Sequence, residues 1–516
     1  MSGGAHCAAE VARWLRGVLP AGAALVADSR RIAPGDAFFA FPGERTDGRA
    51  HVAQAVARGA AAVVAEAGAG GGSAPLAVPS RAVVGLRALA GPVADAFHDR
   101  PTARIQVVAV TGTNGKTSCS QWIAQGLHAA GRRVAVVGTL GAAVLGERGA
   151  PEPDDPGLTT PDALALQTLF ARFAGRGVDV AAIEASSIGL HQHRLDGTRI
   201  AVAVFTNLTR DHLDYHGTMD AYALAKARLF GWPGLRAVVV NLDDPHHATM
   251  LAQAAPGAER IGVRIADGGD AAARPAAGGR VDRELVAVGV VAGARGMRIA
   301  IDGHWGAATV DTPLLGRFNA SNLLAVAAAW LALGMPFAEA CDRLARLAPV
   351  PGRLQAVGTG DGVPLAVVDY AHTPDALAGA LDALRPVARA RGGALWCVFG
   401  AGGDRDPGKR PLMGEAARRG ADRVVLTSDN PRGEPPEAIL DAIQLGLAAA
   451  PTLRDADRAR AIADALALAS AEDVVLIAGK GHEPYQEIAG RRHPFDDAEH
   501  AARALARRRS PEAAGA

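Results

Sequence analysis

The chain has 516 residues, 49% of them hydrophobic and 21% charged, the balance of a globular protein and not of a disordered one. At about 150 residues per domain this length predicts roughly three domains, which excludes a lone small binding module. Lys and Arg number 54 against 53 Asp and Glu, a net charge of +1, so a globally basic nucleic-acid coat is excluded and any anionic partner must be held by local clusters. The 62 glycines and 31 prolines exceed the usual combined share of about 12%, which fits either linkers or glycine loops around a ligand.

The four cysteines, Cys7, Cys119, Cys341 and Cys397, are scattered without a CxxC pair. They suit neither a disulfide framework nor a zinc knuckle and point to a reducing compartment. Residues 1–10 lack the basic-then-apolar order of a secretory leader. The most apolar helical stretch, over 325–333, falls short of the about 20 residues that span a bilayer. A cytoplasmic protein without membrane or nucleic-acid partners is expected.

Up to residue 100, short apolar runs at 37–40 and 61–65 flank a helical pattern over 52–58, and the Gly/Ala stretch 68–74 reads as a loop. Asp99-Arg100-Pro101 marks a boundary. Beyond it come a buried strand over 107–110, a glycine turn, a helix to about 130, a strand over 134–137, and apolar runs at 178–183 and 200–205. Continuous apolar strands separated by helices predict a parallel sheet covered on both faces. Residues 261–310 change to short alternating segments, which predict antiparallel hairpins, and an alanine-rich helix over 319–333 closes the unit. From about 350, apolar strands at 365–368, 395–399, 424–426 and 474–477 alternate with helices, a second doubly wound pattern. The tail after 508 is expected to be disordered. The predicted fold is α/β in three domains, a small N-terminal α/β domain (1–100), a central P-loop-type parallel-sheet domain (101–345) and a C-terminal Rossmann-like domain (346–516).

The strongest motif is Val107-Val108-Ala109-Val110-Thr111-Gly112-Thr113-Asn114-Gly115-Lys116-Thr117-Ser118. A buried strand runs into a glycine turn, and Gly-Lys-Thr-Ser opens a helix. Glycines let backbone N–H groups approach phosphate oxygens, and the helix N-terminus adds favourable partial charge. Lys116 is expected to reach the β- and γ-phosphates, and the Thr117 hydroxyl to help hold Mg²⁺. The common phosphate-loop pattern has glycine at position 110. This chain has Val110 there and carries its glycine at Gly112.

Downstream, the apolar run to 183 ends in Glu184-Ala185-Ser186-Ser187. A carboxylate at a strand's C-terminal end beside the loop is placed for Mg²⁺, though the same residues fit a helix cap. The run from Thr206 to His216 gathers His and Asp, which fits a second metal or phosphate site, or, for His212, local hydrogen bonding alone. His191-Gln192-His193 has a zinc-like spacing, but no third ligand adjoins it and nearby carboxylates suit hard Mg²⁺ chemistry, so zinc is not expected. Gln192 and Arg194 read as substrate contacts. Lys226, in a helical stretch over 222–230, reads as a solvated surface lysine.

Two further loops follow strands of the last unit. Phe399-Gly400-Ala401-Gly402-Gly403-Asp404-Arg405-Asp406 lacks the GxGxxG order of a dinucleotide site, so NAD is not expected. In Asp429-Asn430-Pro431-Arg432 the arginine fork suits a carboxylate, and Asn and Asp suit an ammonium, although a plain turn explains the composition as well.

These residues, with Asp28-Ser29-Arg30, Pro34-Gly35-Asp36, Pro42-Gly43, Thr46-Asp47-Gly48, Thr159-Thr160-Pro161, Phe318-Asn319 with Asn322, Pro351-Gly352-Arg353 and Pro494-Phe495-Asp496-Asp497, resemble the Mur ligase family over nearly the whole chain. The nearer resemblance is to its branch that extends UDP-N-acetylmuramoyl-L-alanyl-D-glutamate with a diamino acid. It implies an ATP-dependent, Mg²⁺-using ligase that works as a monomer in peptidoglycan-precursor synthesis through an acyl phosphate. By the same resemblance, Ser29 and the Thr46-Asp47-Gly48 neighbourhood face the UDP-sugar, and Thr159, Thr160, Ser186, Gln192 and Arg194 hold the muramoyl-dipeptide. Gly112, Thr113, Asn114, Gly115, Lys116, Thr117 and Ser118, with Asn319, Arg353 and Asp369, bind ATP. Glu184 and His212 join Thr117 at the metal. Lys226 matches a lysine that the family carbamylates, the opposite of its reading as a surface residue.

Arg405, Asp429, Asn430, Pro431, Arg432, Gly479 and Glu483 match a meso-diaminopimelate pocket, the arginine of the tetrapeptide separating that branch from lysine-adding relatives. Gln355 departs from the family, which commonly has Glu there, and is given no role. The alternatives are a lysine-adding relative, a folylpolyglutamate synthase, which shares the loop, and a non-catalytic sensor of the same precursor.

Overall fold

The computed structural model of the chain describes residues 2–44, 46–68, 76–147, 158–266, 281–358, 360 and 362–509. Most of the loop expected at 68–74, and the tail expected after 508 apart from Arg509, therefore lie outside the described residues.

The first sheet has four parallel strands in chain order, Leu25–Val26, Ala37–Ala40, Ala62–Glu66 and Ser80–Val83. Two helices, Ser2–Val18 and Leu86–Phe97, cover one face. The opening helix was not predicted, yet its buried seam of Ala8, Val11, Ala12 and Leu15 has the spacing of an amphipathic helix. This unit is seated on the next one. Leu164, from the helix Ala163–Gly175, joins its core, and a Cβ at Gly91 would lie 1.8 Å from the Asp196 carbonyl oxygen.

The central sheet has ten strands. Seven are parallel, in the spatial order Val134–Gly138, Val180–Glu184, Gln106–Thr111, Ile200–Phe205, Ala237–Asn241, Glu259–Ile265 and Arg283–Gly293. Gly141–Val144 adds antiparallel at one edge, and Gly296–Gly303 and Ala308–Thr312 at the other. The hairpin expectation for 261–310 is thus corrected at its start, where Glu259–Ile265 is buried on its central residues and continues the parallel sheet. The fully buried strand Ala237–Asn241 was not singled out in the sequence. Helix Arg317–Ala332 is buried on nearly every side, which its alanines permit. Its Trp330 lies where a Cβ on Gly126 would come within 2.0 Å of the ring.

The last sheet runs Gln355–Val357, Leu365–Asp369, Val474–Ala478, Leu395–Phe399, Arg423–Leu426 and Leu453–Arg454, parallel except for its first strand. A fully buried fork, Arg458 to Asp497 at 2.7 Å through two nitrogens, also ties the carbonyls of Ser428 and Ala478. Ala478 ends its strand before 479–483, and Ser428 lies just past the strand Arg423–Leu426, directly before 429–432. The candidate loops of both large sheets sit at the carboxyl ends of parallel strands, where open α/β sheets bind ligands.

Candidate active site

The phosphate loop leaves the strand Gln106–Thr111 and enters helix Lys116–Ala129. Gly112 and Gly115 have φ of 155° and 83°. A Cβ would meet Thr206 Oγ1 at 1.9 Å and Asn322 Oδ1 at 2.7 Å respectively, so the glycines are required by the close approach of a neighbouring strand end and of the helix Arg317–Ala332. Thr113 Oγ1 lies 3.1 Å from the Tyr222 hydroxyl, and the Asn114 amide donates to Asn207 Oδ1 at 2.9 Å. Thr117 and Ser118 are buried in the first helical turn.

Lys116 Nζ folds back to donate to the carbonyls of Gly112 (2.8 Å) and Thr113 (2.9 Å). Glu184, the last residue of its strand, is 2% exposed. Its carboxylate accepts from the Thr139 amide at 2.8 Å, the Thr117 hydroxyl at 3.1 Å and the Thr139 hydroxyl at 3.2 Å. Burial pushes Glu184 up and Lys116 down from their ordinary pKa values, each held back by the charge of the other. Gly138 makes room for this carboxylate, since a Cβ there would lie 2.2 Å from Oε1. Thr139 was missed in the sequence because it acts largely through its backbone N–H.

Lys226 corrects the surface reading. It is 1% exposed, its Nζ donates at 2.8 Å to the Gly112 carbonyl that Lys116 also reaches, and it sits 4.5 Å over the Tyr222 ring. Among the described residues no carboxylate pairs with it. Burial, reinforced by Lys116, drives its pKa well below the ordinary value.

The hydroxyl of Thr117 and the carboxylate of Glu184 are a hard-oxygen pair that suits a magnesium ion beside a phosphate site. His212 stands apart from that pair in its recorded contacts. It has φ of 51°, its Nε2 is 3.5 Å from Asp211 Oδ2, and its ring lies edge-on to Tyr222. Among the described residues no three His, Cys, Asp or Glu side chains gather into a ready-made metal cage. The two histidines of the zinc-like spacing separate, His191 to the Tyr215 hydroxyl (2.9 Å) and His193 to Asp196 (2.7 Å).

The residues expected to hold the dipeptide form one connected network, Thr159 excepted in part. Thr160 Oγ1 meets Ser186 Oγ at 3.0 Å and donates to the Glu184 carbonyl at 2.8 Å. Arg194 donates to the Thr160 carbonyl (2.8 Å) and the Gln192 carboxamide (2.6 Å), and Gln192 donates to the Tyr215 hydroxyl (3.1 Å). Thr159 Oγ1 joins through Thr139 Oγ1 at 3.2 Å. Ser29, in the first unit, is buried against Gln54 at 2.8 Å, and Thr46 contacts His51 at 3.0 Å. Glu44, from the same unit, is held below the usual carboxylate range by Arg87 first and also by His191 and Tyr215, which brings the first unit to the edge of this network.

Of the residues expected to face the adenosine half of ATP, Asn319 is buried, donates to the Leu315 carbonyl at 2.7 Å and receives Asn322 at 3.0 Å. Asp369 accepts from the amides of Leu354 (2.8 Å) and Ala371 (2.9 Å). It thereby fixes the turn carrying Arg353, whose guanidinium lies 5.0 Å over the Tyr370 ring. Gln355 accepts from the Gly352 amide at 2.8 Å, a local task that accounts for it without a ligand.

In the last unit the structure brings Asp429, Asn430, Arg432, Gly479 and Glu483 together. Asn430 Nδ2 donates to Glu483 Oε2 at 2.8 Å. Arg432, with φ of 52°, donates to the Gly403 carbonyl at 2.9 Å and lies 3.7 Å from Glu487. Gly479 and Gly403 make close approaches to Asp429 and Pro431, and Arg405 is exposed at the rim. Sequence reasoning gave no role to Lys480, which is fully buried at the centre of this group. Among the described residues no helix is long and apolar enough to cross a membrane.

Three family models match the chain: "Mur ligase family, catalytic domain" over residues 23–84, "Mur ligase middle domain" over 110–330, and "Mur ligase, glutamate ligase domain" over 352–481. A UDP-N-acetylmuramoyl-L-alanyl-D-glutamate–2,6-diaminopimelate ligase of Acidovorax sp. (strain JS42) is 51% identical over 510 residues, covering 97% of each chain. The enzyme of that name from Pseudomonas aeruginosa is 48% identical over 490 residues, 95% of this chain and 96% of the relative. A solved structure of a ligase with the same name is 37% identical, with a TM-score of 0.68 over 94% of this chain and 95% of the other. A Mycobacterium tuberculosis folylpolyglutamate synthase complexed with ADP, 21% identical with a TM-score of 0.57 over 76% of this chain and 91% of its own, shares the fold. The chain belongs to the Mur ligase family.

Proposed function

We propose that the chain is the ATP-dependent ligase that joins meso-diaminopimelate to UDP-N-acetylmuramoyl-L-alanyl-D-glutamate. The observation that carries this reading is the cluster of Asp429, Asn430, Arg432 and Glu483 at the carboxyl ends of one sheet in a chain whose other large sheet carries a phosphate loop. The 51% identity to a relative bearing that activity in its name supports it. The divisions near residues 100 and 345 are proposed as the borders of three substrate-binding domains, for the nucleotide-sugar precursor, for ATP and for the amino acid.

A carboxylate is a poor electrophile, so the reaction needs its oxygen turned into a leaving group. The D-glutamyl γ-carboxylate attacks the γ-phosphorus of ATP, the bond to the β,γ-bridging oxygen breaks, and ADP leaves an acyl phosphate. The diaminopimelate amine then attacks the acyl carbon, loses a proton and expels phosphate. In this reading Lys116 swings from the Gly112 and Thr113 carbonyls onto the transferring phosphoryl group and spreads its charge. Thr117 and Glu184 would hold Mg²⁺, with His212 drawn in; the ion supplies charge neutralisation at the phosphates. Thr160, Ser186, Gln192 and Arg194 orient the dipeptide so that its carboxylate lies in line.

Lys226 fits the family's carbamylation on its own chemistry. Only a neutral amine adds CO₂, releasing a proton, and the burial that lowers its pKa favours that form. The carbamate would turn a cation into an anion beside the loop. As a monomer in the cytoplasm the chain would meet all three substrates in solution.

An isotope experiment tests the mechanism. With heavy oxygen in the D-glutamyl γ-carboxylate, the released phosphate is expected to carry one labelled oxygen; unlabelled phosphate would rule out the acyl-phosphate route.

A further inference from the structure

Lys480 sits between Gly479 (φ 118°) and Gly481 (φ 55°), in the turn after strand Val474–Ala478. The Glu483 amide closes that turn on the Lys480 carbonyl at 2.9 Å, which puts both side chains on one side. The lysine is fully buried, and its Nζ donates to Asn430 Oδ1 at 3.0 Å and Glu483 Oε2 at 3.3 Å. It also lies 3.7 Å from Asp429 Oδ1. Asn430 Oδ1 receives a second bond from the Glu487 amide at 2.9 Å, and Asn430 Nδ2 donates to Glu483 Oε2 at 2.8 Å. The carboxamide is therefore locked in one orientation, and Glu483 Oε2 is filled by two donors.

What remains open is equally defined. Asp429 is 6% exposed, and its Oδ1 is buried without a hydrogen-bond partner. Glu483 Oε1 accepts nothing from the described residues. A buried carboxylate oxygen without a hydrogen bond is costly, and Asp429 Oδ1 together with the partly exposed Glu483 carboxylate (22% exposed), both near the Lys480 Nζ, is complementary to a ligand's ammonium.

We propose that Lys480 is a positioning residue for the amino-acid substrate, orienting Asn430 and Glu483 so that Asp429 Oδ1 and Glu483 Oε1 face an incoming ammonium group. The proposal rests on reading this pocket as the amino-acid subsite. A merely structural lysine would support both half-reactions equally, whereas a positioning lysine acts only on the amine. Hydroxylamine separates the two, because this small nucleophile intercepts the acyl phosphate as a hydroxamate without needing the pocket.

In Lys480→Met, which keeps the stem and removes the donors, hydroxamate formation from ATP and the UDP-dipeptide is expected to stay within about twofold of wild type, while KM for diaminopimelate rises at least about tenfold. Lys480→Gln, which keeps one donor for Asn430, should recover part of that KM and carries the same test if the methionine variant fails to fold. An unchanged diaminopimelate KM, or parallel loss of both reactions, overturns the proposal. A wild-type chain that makes neither hydroxamate nor tripeptide instead defeats the ligase reading, and the proposal falls with it.

Discussion

Gly138→Ala isolates the contribution of the Glu184 carboxylate. Gly138 lies in a strand without positive φ, so alanine is conformationally acceptable and the effect is steric. The new Cβ would stand 2.2 Å from Glu184 Oε1, and ordinary contact begins at 3.4 Å, so the carboxylate must retreat by about 1.2 Å. Oε1 is the end of a side chain and can move while the strand stays in place. That retreat takes Oε1 out of reach of the Thr139 amide, now at 2.8 Å, and disturbs the Thr117 bond at 3.1 Å. One hydrogen bond to a charged group is worth about 1.5–3 kcal/mol, which converts to about a 10- to 150-fold loss in rate. Steady-state phosphate release with all three substrates should show this mainly in kcat, with the thermal midpoint near wild type. Wild-type kcat in a folded Gly138→Ala protein would refute the claim that this carboxylate is held by Thr139 for catalysis.

Arg432→Ala should reduce kcat/KM for diaminopimelate by about thirtyfold or more, the cost of losing one partner of a charged pair of about 2–5 kcal/mol, with KM for ATP and the UDP-dipeptide unchanged; equal kinetics for all substrates would contradict it. Asp497→Asn leaves Arg458 buried and uncompensated, an expected cost of about 3–5 kcal/mol, seen by calorimetry as a lower midpoint of the C-terminal transition, with much of it restored in Arg458→Met/Asp497→Leu. Burial, with Arg353, pushes His482 down to about 4 from 6.5, so the unfolded chain binds the extra proton first. Its contribution to stability is therefore complete above about 6.5 and is lost as pH falls towards about 4, and His482→Gln should flatten denaturation midpoints measured across that window. Substrate-driven closure about the linkers near 100 and 351 should lower the radius of gyration in solution scattering, and identical profiles with and without substrates would count against it.

The parts of the site that sequence alone revealed are those whose chemistry is local. A strand, two glycines and Lys-Thr at a helix start specify a phosphate loop without any tertiary contact. Glu184 was legible because it ends an apolar run. Lys226 was not, since a lysine in a nine-residue helix looks solvated until the fold places it at 1% exposure under the loop; only the family resemblance singled it out. Lys480 and Thr139 act through groups 50 and 45 residues away, so their roles depend on topology that spacing does not carry. The strand Ala237–Asn241 escaped notice although turn residues flank it on both sides, because its apolar run is only four residues long, and the opening helix escaped notice because its apolar seam is carried largely by alanines. The edge hairpins were legible from alternation, but the first strand of that region is buried on its central residues and joined the parallel sheet instead.

In the proposed reaction one chain couples ATP cleavage to diaminopimelate addition on the UDP-dipeptide. This coupling is tested most directly by phosphate release from ATP and the UDP-dipeptide with diaminopimelate, with lysine, or with no amine, each product identified by mass. Rapid release and a UDP-tripeptide with diaminopimelate alone are predicted. Equal or faster turnover with lysine, or phosphate release without a tripeptide product, would contradict the account.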